Sequence, residues 1–335
     1  MSTFPHAIPL APGPEFDLIR RFLARPVRPG DRPDVRVGPG DDTAVVVGNG
    51  IALSTDMSVE GVHFQRDWLT AREIGWRATA AALSDLAAMA ARPIGVLCSL
   101  ALPGEEASRM AVHLMDGVRG AAESVGGVLL GGDTTRSPGP IVLDVTVVGE
   151  CARPVLRGGA RAGDEVWVTG ELGGASVYVQ ALLRGDLPDS AARRAFAEPR
   201  PRTAEALWLR AHDVPTAMID LSDGLAGDAA HLAAAAGVAV VLDRGALPLH
   251  PAAARLGSPA DGERMALSGG EDYELCFCAA PGAMEPLAQA FTSQFALRLT
   301  RVGRVEAGSG VWESAPGGTR VPLAAKGYQH FGEGR

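Results

Sequence analysis

Gly38-Pro39-Gly40-Asp41-Asp42-Thr43 sets two adjacent carboxylates on a glycine–proline turn, and Thr43 to Val47 behind it reads as a strand. Acids meet small-residue turns again at Ser54-Thr55-Asp56, Leu83-Ser84-Asp85, Gly131-Gly132-Asp133-Thr134-Thr135, Asp220-Leu221-Ser222-Asp223-Gly224 and Gly269-Gly270-Glu271-Asp272-Tyr273. A single Asp at a turn says little, because Asp favours turns through its own local hydrogen bonds. Six such seams in one chain ask for a shared cause.

Upstream of the opening stretch, Phe16, Ile19, Phe22 and Leu23 form a helical stripe over Glu15 to Arg25 that ends at Pro26. Downstream, Ile51–Thr55 reads as a second strand with Asp56 at its end, and Gly61-Val62-His63-Phe64 as a loop or short strand. An alanine-rich helix spans about Arg72 to Ala91 and carries Asp85 among Ala81, Ala82, Ala88 and Met89, so this acid is not part of a solvated charged stripe. Strands at Pro93–Leu102 and Ile141–Val148 flank an amphipathic helix over Glu105–Val125. Val128–Leu130 is a short strand running into the Gly131 turn.

This order suits an α+β domain over residues 1–149. Gly149 to Gly163, with Pro154, four glycines and three arginines, is the expected junction. Residues 150–335 then read as a second, α/β-type domain. Its strands fall at Glu165–Thr169, Ala217–Ile219, Val238–Leu242, Tyr273–Ala279 and Leu297–Val305. Its helices open at Gly173-Gly174, run through Trp208 and cover Leu225–Ala236.

Composition narrows the function. A net charge of −8 argues against a nucleic-acid surface. The most apolar stretch, Ala78 to Pro103, is broken by Ser84-Asp85 and Arg92-Pro93, so no membrane span is expected. The N-terminus has no basic flank before an apolar core and does not read as a signal peptide. Cys98, Cys151, Cys276 and Cys278 lack disulfide or zinc spacing and read as small buried hydrophobes in a reducing cytoplasm. Cys276 and Cys278 share one face of a strand. Lys326 is the single lysine, which excludes a Walker A loop and a protein-kinase strand lysine.

Asp and Glu grouped with Ser, Thr and Gly suit hard cations, and magnesium leads because it takes a few carboxylates and completes its shell with water and phosphate oxygens. Convergence of Asp42, Asp56, Asp85 and Asp133 would raise their pKa values or demand bound cations. Several Mg²⁺ ions with a polyphosphate balance that charge. The glycines near Asp133 and at Gly173-Gly174 read first as plain turns and second as backbone that lets phosphates approach. Ser222-Asp223-Gly224 is equally a helix N-cap, and His63, which could contact a substrate, reads first as a structural histidine. Asp220 at a strand end belongs to a ligand-binding edge. No Ser-His-Asp or Cys-His arrangement is readable.

Taken together, these motifs resemble the thiamine-monophosphate kinase family, of the aminoimidazole ribonucleotide synthetase and selenophosphate synthetase superfamily. The resemblance runs from Glu15-Phe16 to Gly327-Tyr328-Gln329-His330-Phe331 and includes Glu60-Gly61-Val62-His63-Phe64 and Leu267-Ser268-Gly269-Gly270-Glu271-Asp272-Tyr273-Glu274-Leu275. It implies a two-domain ATP-binding fold whose N-terminal sheets pair into a barrel in a homodimer. It implies Mg²⁺ ligands at Asp42, Ser54, Thr55, Asp56, Asp85, Asp133, Asp220 and Asp223, with Asp56, Asp85, Asp133 and Asp220 central to catalysis. ATP contacts fall on Gly132, Asp133, Arg157 and Ser222, and thiamine monophosphate contacts on His63, Glu271 and Tyr328. Of the opening acids it selects Asp42 as ligand and leaves Asp41 to the turn, in keeping with adjacent strand residues pointing to opposite faces.

The reaction implied is ATP-dependent phosphorylation of thiamine monophosphate to thiamine diphosphate. Three positions depart from the family pattern: Ala82 where Asn is common, Ala90 for Gly, and Gly158 for Ser. A selenophosphate synthetase would carry a reactive Cys and a Lys near its N-terminus, but the first Cys here is Cys98. An amidine cyclo-ligase would not carry the Gly-Gly-Glu-Asp-Tyr-Glu stretch. A silent nucleotide sensor would not need the intact acid set.

Overall fold

The computed structural model describes residues 35–37, 41–46, 50–104, 107–314 and 319–324. The helix expected over Glu15–Arg25, the Gly38–Gly40 turn and Tyr328 lie outside the described residues. Six strands of the N-terminal half form one mixed sheet: β1 (Val35–Val37), β2 (Ala44–Val46), β3 (Ile51–Val59), β4 (Arg92–Pro103), β5 (Val128–Ser137) and β6 (Val142–Glu150). Their spatial order is β1-β2-β3-β6-β4-β5. All pairings are antiparallel except β4 with β5, which α2 (Ala107–Ser124) connects as a crossover helix.

Alternation along β6 buries Leu143, Val145 and Val147 beneath α2 and the alanine-rich α1 (Ala71–Ala88). A reciprocal cap starts α1: the Glu73 N–H donates to Thr70 Oγ1 at 3.3 Å, and the Thr70 N–H donates to Glu73 Oε2 at 2.8 Å. The two helices approach closely because Gly75 and Gly117 sit at their crossing. A Cβ on either would lie 1.9 Å from a carbonyl oxygen of the other helix.

The C-terminal half builds a seven-stranded mixed sheet from β7 (Glu165–Thr169), β8 (Pro215–Asp220), β9 (Ala239–Leu242), β10 (Leu275–Ala279), β11 (Leu299–Glu306), β12 (Gly310–Ser314) and β13 (Arg320–Pro322). Its order is β13-β12-β9-β11-β7-β10-β8. The same half supplies α3 (Gly174–Arg184), α4 (Ser190–Ala197), α5 (Thr203–Ala211), α6 (Leu225–Ala236), α7 (Pro251–Ala254), α8 (Pro259–Ser268) and α9 (Glu285–Phe295), of which α3 and α4 pack into the first sheet's core. Cys276 and Cys278 sit in one core with α6 residues, on a shared face as expected, and all four cysteines are buried and unpaired.

The feature that makes a site is the far end of α1. Ala87, and Ala90 just beyond the helix, pack into the same core as Met218 of β8 and Leu275 and Phe277 of β10. An alanine-clad helix is thus covered on one side by its own sheet and on the other by the second. Asp85 is carried to the seam between them.

Two of the expected turns are not turns. Asp56 lies inside β3, because β3 pairs with β6 from Ile51 through Val59 without a break. Asp133 lies inside β5, which runs on through Gly131-Gly132 to Ser137. The ladder shifts register by one residue ahead of Gly131 and then continues, and Gly132 permits this because a Cβ there would lie 1.8 Å from the Cys98 carbonyl oxygen of β4.

Candidate functional site

Three carboxylates from distant parts of the chain meet at the seam. Asp42 precedes β2, Asp85 lies on α1 and Asp220 ends β8, and each offers an oxygen within 4.8 Å of the others. Ser54 of β3 donates its Oγ to Asp85 Oδ2 at 2.5 Å. Arg157, in a short 3-10 turn between the two sheets, holds Asp42 through Nε (2.7 Å) and Nη2 (2.5 Å). Asp41 takes no part in the triad. It accepts the N–H of Asp42 at 3.0 Å and that of Arg157 at 3.1 Å, so the paired acids divide into one site acid and one that braces the backbone.

The electrostatics match this crowding. Burial pushes the Asp85 carboxyl well above its usual range, and repulsion from Asp220, Asp42 and Asp56 adds to it against the Ser54 bond. Burial, then the Asp42 charge, pushes Asp220 up to about 7, and the same two causes in the same order push Asp41 up to about 7. Oxygen donors of like charge at this spacing, with one arginine to offset them, fit hard divalent cations. Mg²⁺ is suited to Asp42, Asp85 and Asp220 by that donor chemistry.

A cavity of about 540 Å³ opens beside the triad. Asp56, His63, Ser222, Asp223 and Glu271 all line it with Asp85 and Asp220. His63 Nδ1 accepts the Val59 N–H at 3.0 Å, so this ring is both anchored and at the cavity wall. The cap reading of Ser222 and Asp223 is not realised: α6 is capped by Gly224, at φ 100°, without a side-chain bond. Asp228 in the first turn of α6 instead accepts the Asp223 N–H at 3.2 Å. Burial, with repulsion from Asp223 and Asp220, pushes the Asp228 carboxyl well above its usual range.

Asp133 and Gly132 stand apart from the triad, and Thr55 lines the cavity without turning its hydroxyl toward the three carboxylates. Thr55 follows Ser54 in β3 and so turns to the other face, where its Oγ1 donates to Asp144 Oδ1 at 2.7 Å. Asp133 is exposed on edge strand β5, opposite Ser99, which in turn faces Asp144 across β4 and β6. The expected convergence of Asp42, Asp56, Asp85 and Asp133 is therefore replaced by Asp42, Asp85 and Asp220, with Asp56 close enough to act on Asp85.

Arg77 was not anticipated. It is a buried arginine on α1 that pairs with Glu271, and its signal was present in the spacing of four that puts Arg77, Ala81 and Asp85 on one helix face. The loop it holds is strained. Gly270, Glu271 and Tyr273 all have left-handed backbones, at φ 71°, 67° and 49°, costing on the order of 1–3 kcal/mol for each non-glycine. Backbone bonds from Glu271 to Ser222 and from Tyr273 to Leu221, both 2.8 Å, keep it in place.

The two sheets and their carboxylate seam fall within a chain whose halves both match the AIR synthase-related class. The N-terminal domain model of that class, AIR synthase related protein, matches residues 40–151, and its C-terminal domain model matches residues 161–312. Thiamine-monophosphate kinase of Escherichia coli strain K12 is 34% identical over 326 residues, covering 95% of this chain and 98% of that protein. The crystal structure of thiamine-monophosphate kinase from Stenotrophomonas maltophilia superposes with a TM-score of 0.75 at 34% identity, over 93% of this chain and 98% of that one. A structure of AaThiL complexed with AMPPCP and TMP gives a TM-score of 0.80 at 31% identity, over 98% of this chain and 100% of that one. The chain belongs to the thiamine-monophosphate kinase family.

Proposed function

We infer that the chain phosphorylates thiamine monophosphate with ATP, giving thiamine diphosphate and ADP, and that the transfer is direct and in line. The observation that carries this reading is the meeting of Asp42, Asp85 and Asp220 at a cavity whose wall also holds His63 and Glu271. Such a site brings an anionic donor and an anionic acceptor together.

Asp42, Asp85 and Asp220, with Ser54, Asp56 and Asp223 beside them, would hold Mg²⁺, while Thr55 and Asp133, which the family pattern adds, do not join that group in this chain's arrangement. When bound, Mg²⁺ neutralises phosphate charge as it develops in a loose transition state. Arg157, Gly132, Asp133 and Ser222 serve the nucleotide. His63, Glu271 and Tyr328 serve thiamine monophosphate. A phosphate acceptor is already ionised near neutral pH, so no side chain has to remove a proton from it. What the chain supplies is placement.

The decisive assay is ADP formation with and without thiamine monophosphate, compared with Asn variants of Asp56, Asp85 and Asp133. Folded variants without turnover support the reading, whereas near-normal turnover in any of them removes that residue from the machinery. Label from γ-labelled ATP trapped on the protein at a competent rate would overturn direct transfer.

We further propose a homodimer in which the N-terminal sheets join as a barrel. The support is the face of the first sheet turned away from α1 and α2, which presents Met57, Leu97, Val128 and Leu130 to solvent among the described residues. No helix among the described residues is long and apolar enough to cross a membrane. The four buried, unpaired thiols suit work in the cytoplasm.

A further inference from the structure

Arg77 and Asp85 lie on one face of α1, two turns and about 12 Å apart along the axis. Ala81 between them lines the cavity with Asp85. The Arg77 side chain is 4% exposed, and a guanidinium so enclosed needs its charge and donors answered. Its Nη1 donates to the Phe196 carbonyl at 2.8 Å, and its Cζ sits 3.8 Å from the centre of the Phe196 ring. Its Nη2 pairs with Oε2 of Glu271.

The Tyr273 hydroxyl donates to that same Oε2 at 3.2 Å. Two donors therefore converge on one oxygen of Glu271, and Oε1 takes no hydrogen bond from the described residues. A purely structural pair would use the bidentate fork that arginine offers a carboxylate. Here arginine divides its donors between a carbonyl and one carboxylate oxygen, and leaves the other oxygen on a side chain that is 30% exposed at the cavity.

A half-used carboxylate in a cavity wall suits a ligand with an N–H donor and positive charge. Thiamine monophosphate has both, an exocyclic amino group on its pyrimidine and a cationic thiazolium, at the end away from its phosphate. Asp85 lies at the phosphate-handling end of the same helix face. We propose that Arg77 is a positioning residue for the substrate's ring system: with Tyr273 it fixes Oε2 of Glu271 and so presents Oε1 to the substrate's amino group. Phe196, stacked on Arg77 and lining the same cavity, is held by the same side chain. This inference rests on the reading of Glu271 as a substrate contact.

The test is a double-mutant cycle on the full chain, with steady-state kinetics for both substrates on R77M, E271Q and the double variant. One charge-assisted bond to the substrate corresponds to about 10-fold or more in binding. R77M is expected to raise KM for thiamine monophosphate by about that factor while kcat and KM for ATP stay within about twofold. E271Q should do the same, and the double variant should be no worse than E271Q alone. R77K, which keeps charge but not the fork, should fall between wild type and R77M, and it replaces R77M in the cycle if that variant does not fold.

Multiplying effects in the double variant would overturn the coupling. An R77M enzyme with unchanged KM beside an impaired E271Q would overturn the role of Arg77 and leave Glu271 as a contact. An unimpaired E271Q would remove the reading of Glu271 itself, and this inference with it.

Discussion

Arg157 grips both oxygens of Asp42, at 2.7 and 2.5 Å, while its own backbone N–H rests on Asp41. The residue that the family pattern sends to the nucleotide and a residue it sends to the metal are thus in contact with each other. Asp42 is fully enclosed in this arrangement, and Arg157 is the cation that answers the triad. Breaking a buried pair by removing one partner costs about 3–5 kcal/mol. R157M should therefore melt well below wild type in chelator, and Mg²⁺ should restore more stability to the variant than it adds to wild type, because the cation takes over the neutralising role. Thermal melts with chelator and with Mg²⁺ check this. An equal deficit in both conditions would show that Arg157 and the cation answer different charges.

The neighbours Asp41 and Asp42 should fail unequally. Asp41 braces two backbone N–H groups and reaches the site only through Arg157 and Asp42, so D41N should lower turnover by about 10-fold, as loss of a supporting partner does. D42N removes a triad oxygen and also strands Arg157, and should cost at least about 100-fold. Turnover at saturating Mg²⁺ measures both. Similar losses would return the two acids to equivalence.

How much of this was legible depended on how local the cause was. The α1 helix, β4, β7 and the Leu225–Ala236 helix follow from local pattern, whereas the adjacent acids are equivalent to local pattern and only the family resemblance picks Asp42 over Asp41. The seams at Asp56 and Asp133 misled, since small residues next to an acid look like a turn whether or not a partner strand extends the ladder past them. Gly132 answers a close approach to Cys98 that no local pattern records. Helices α4 and α8 were passed over although Asp189 and Ser258 cap them, Asp189 accepting the Ala191 N–H at 2.7 Å and Ser258 the Asp261 N–H at 3.3 Å. The Asp220 partnership with Asp42 and Asp85 joins three segments through tertiary packing, and spacing alone could not select it over Asp133.

One departure from the family pattern gains a physical meaning. After α1 the Ala91 N–H donates to the Leu86 carbonyl at 2.8 Å, the closing bond of a Schellman motif. Ala90 occupies its left-handed position at φ 52°, where glycine is favoured. The left-handed conformation costs an L-residue roughly 1–2 kcal/mol. Part of that is offset by the burial of its methyl group. A90G should raise stability by about 0.5–1 kcal/mol, read as a higher denaturation midpoint. A lower midpoint would mean that the methyl contact with Met218 and its neighbours outweighs the backbone term.

His250 should give the molecule a measurable acid sensitivity. Its Nδ1 accepts the Ala252 N–H at 3.2 Å as the N-cap of α7, which requires that nitrogen to be unprotonated. Burial holds its pKa below the usual histidine value, against the opposing pull of Glu171 and Asp189 and with help from Arg255. Between the folded and unfolded values the unfolded chain binds the extra proton, so the stabilising contribution is present above about pH 6.5 and is lost as pH falls through the folded value. H250N keeps a good cap without a titrating ring. Its melting temperature should fall less than that of wild type from about pH 7 to about pH 5, and parallel curves would remove His250 as the cause.

Leu97 tests the assembly. It stands on the uncovered face of the first sheet, opposite Gly131 of β5, with Val128 and Leu130 of that strand also exposed. A sheet face with this much exposed apolar surface is normally covered in a stable protein, and here Met57, Leu97, Val128 and Leu130 share the face with the acids Asp133 and Asp144. If a second copy covers it, burying Leu97 contributes about 1.5–3 kcal/mol. An aspartate there loses that contribution and adds a desolvated charge in each copy. L97D should therefore shift the mass measured by light scattering from two chains toward one at micromolar concentration. The triad at Asp42, Asp85 and Asp220 lies on the other side of the sheet, so metal-induced stabilisation of the variant should persist. A wild-type chain that scatters as a monomer, or an L97D variant that stays dimeric, would mean that this face is not the interface.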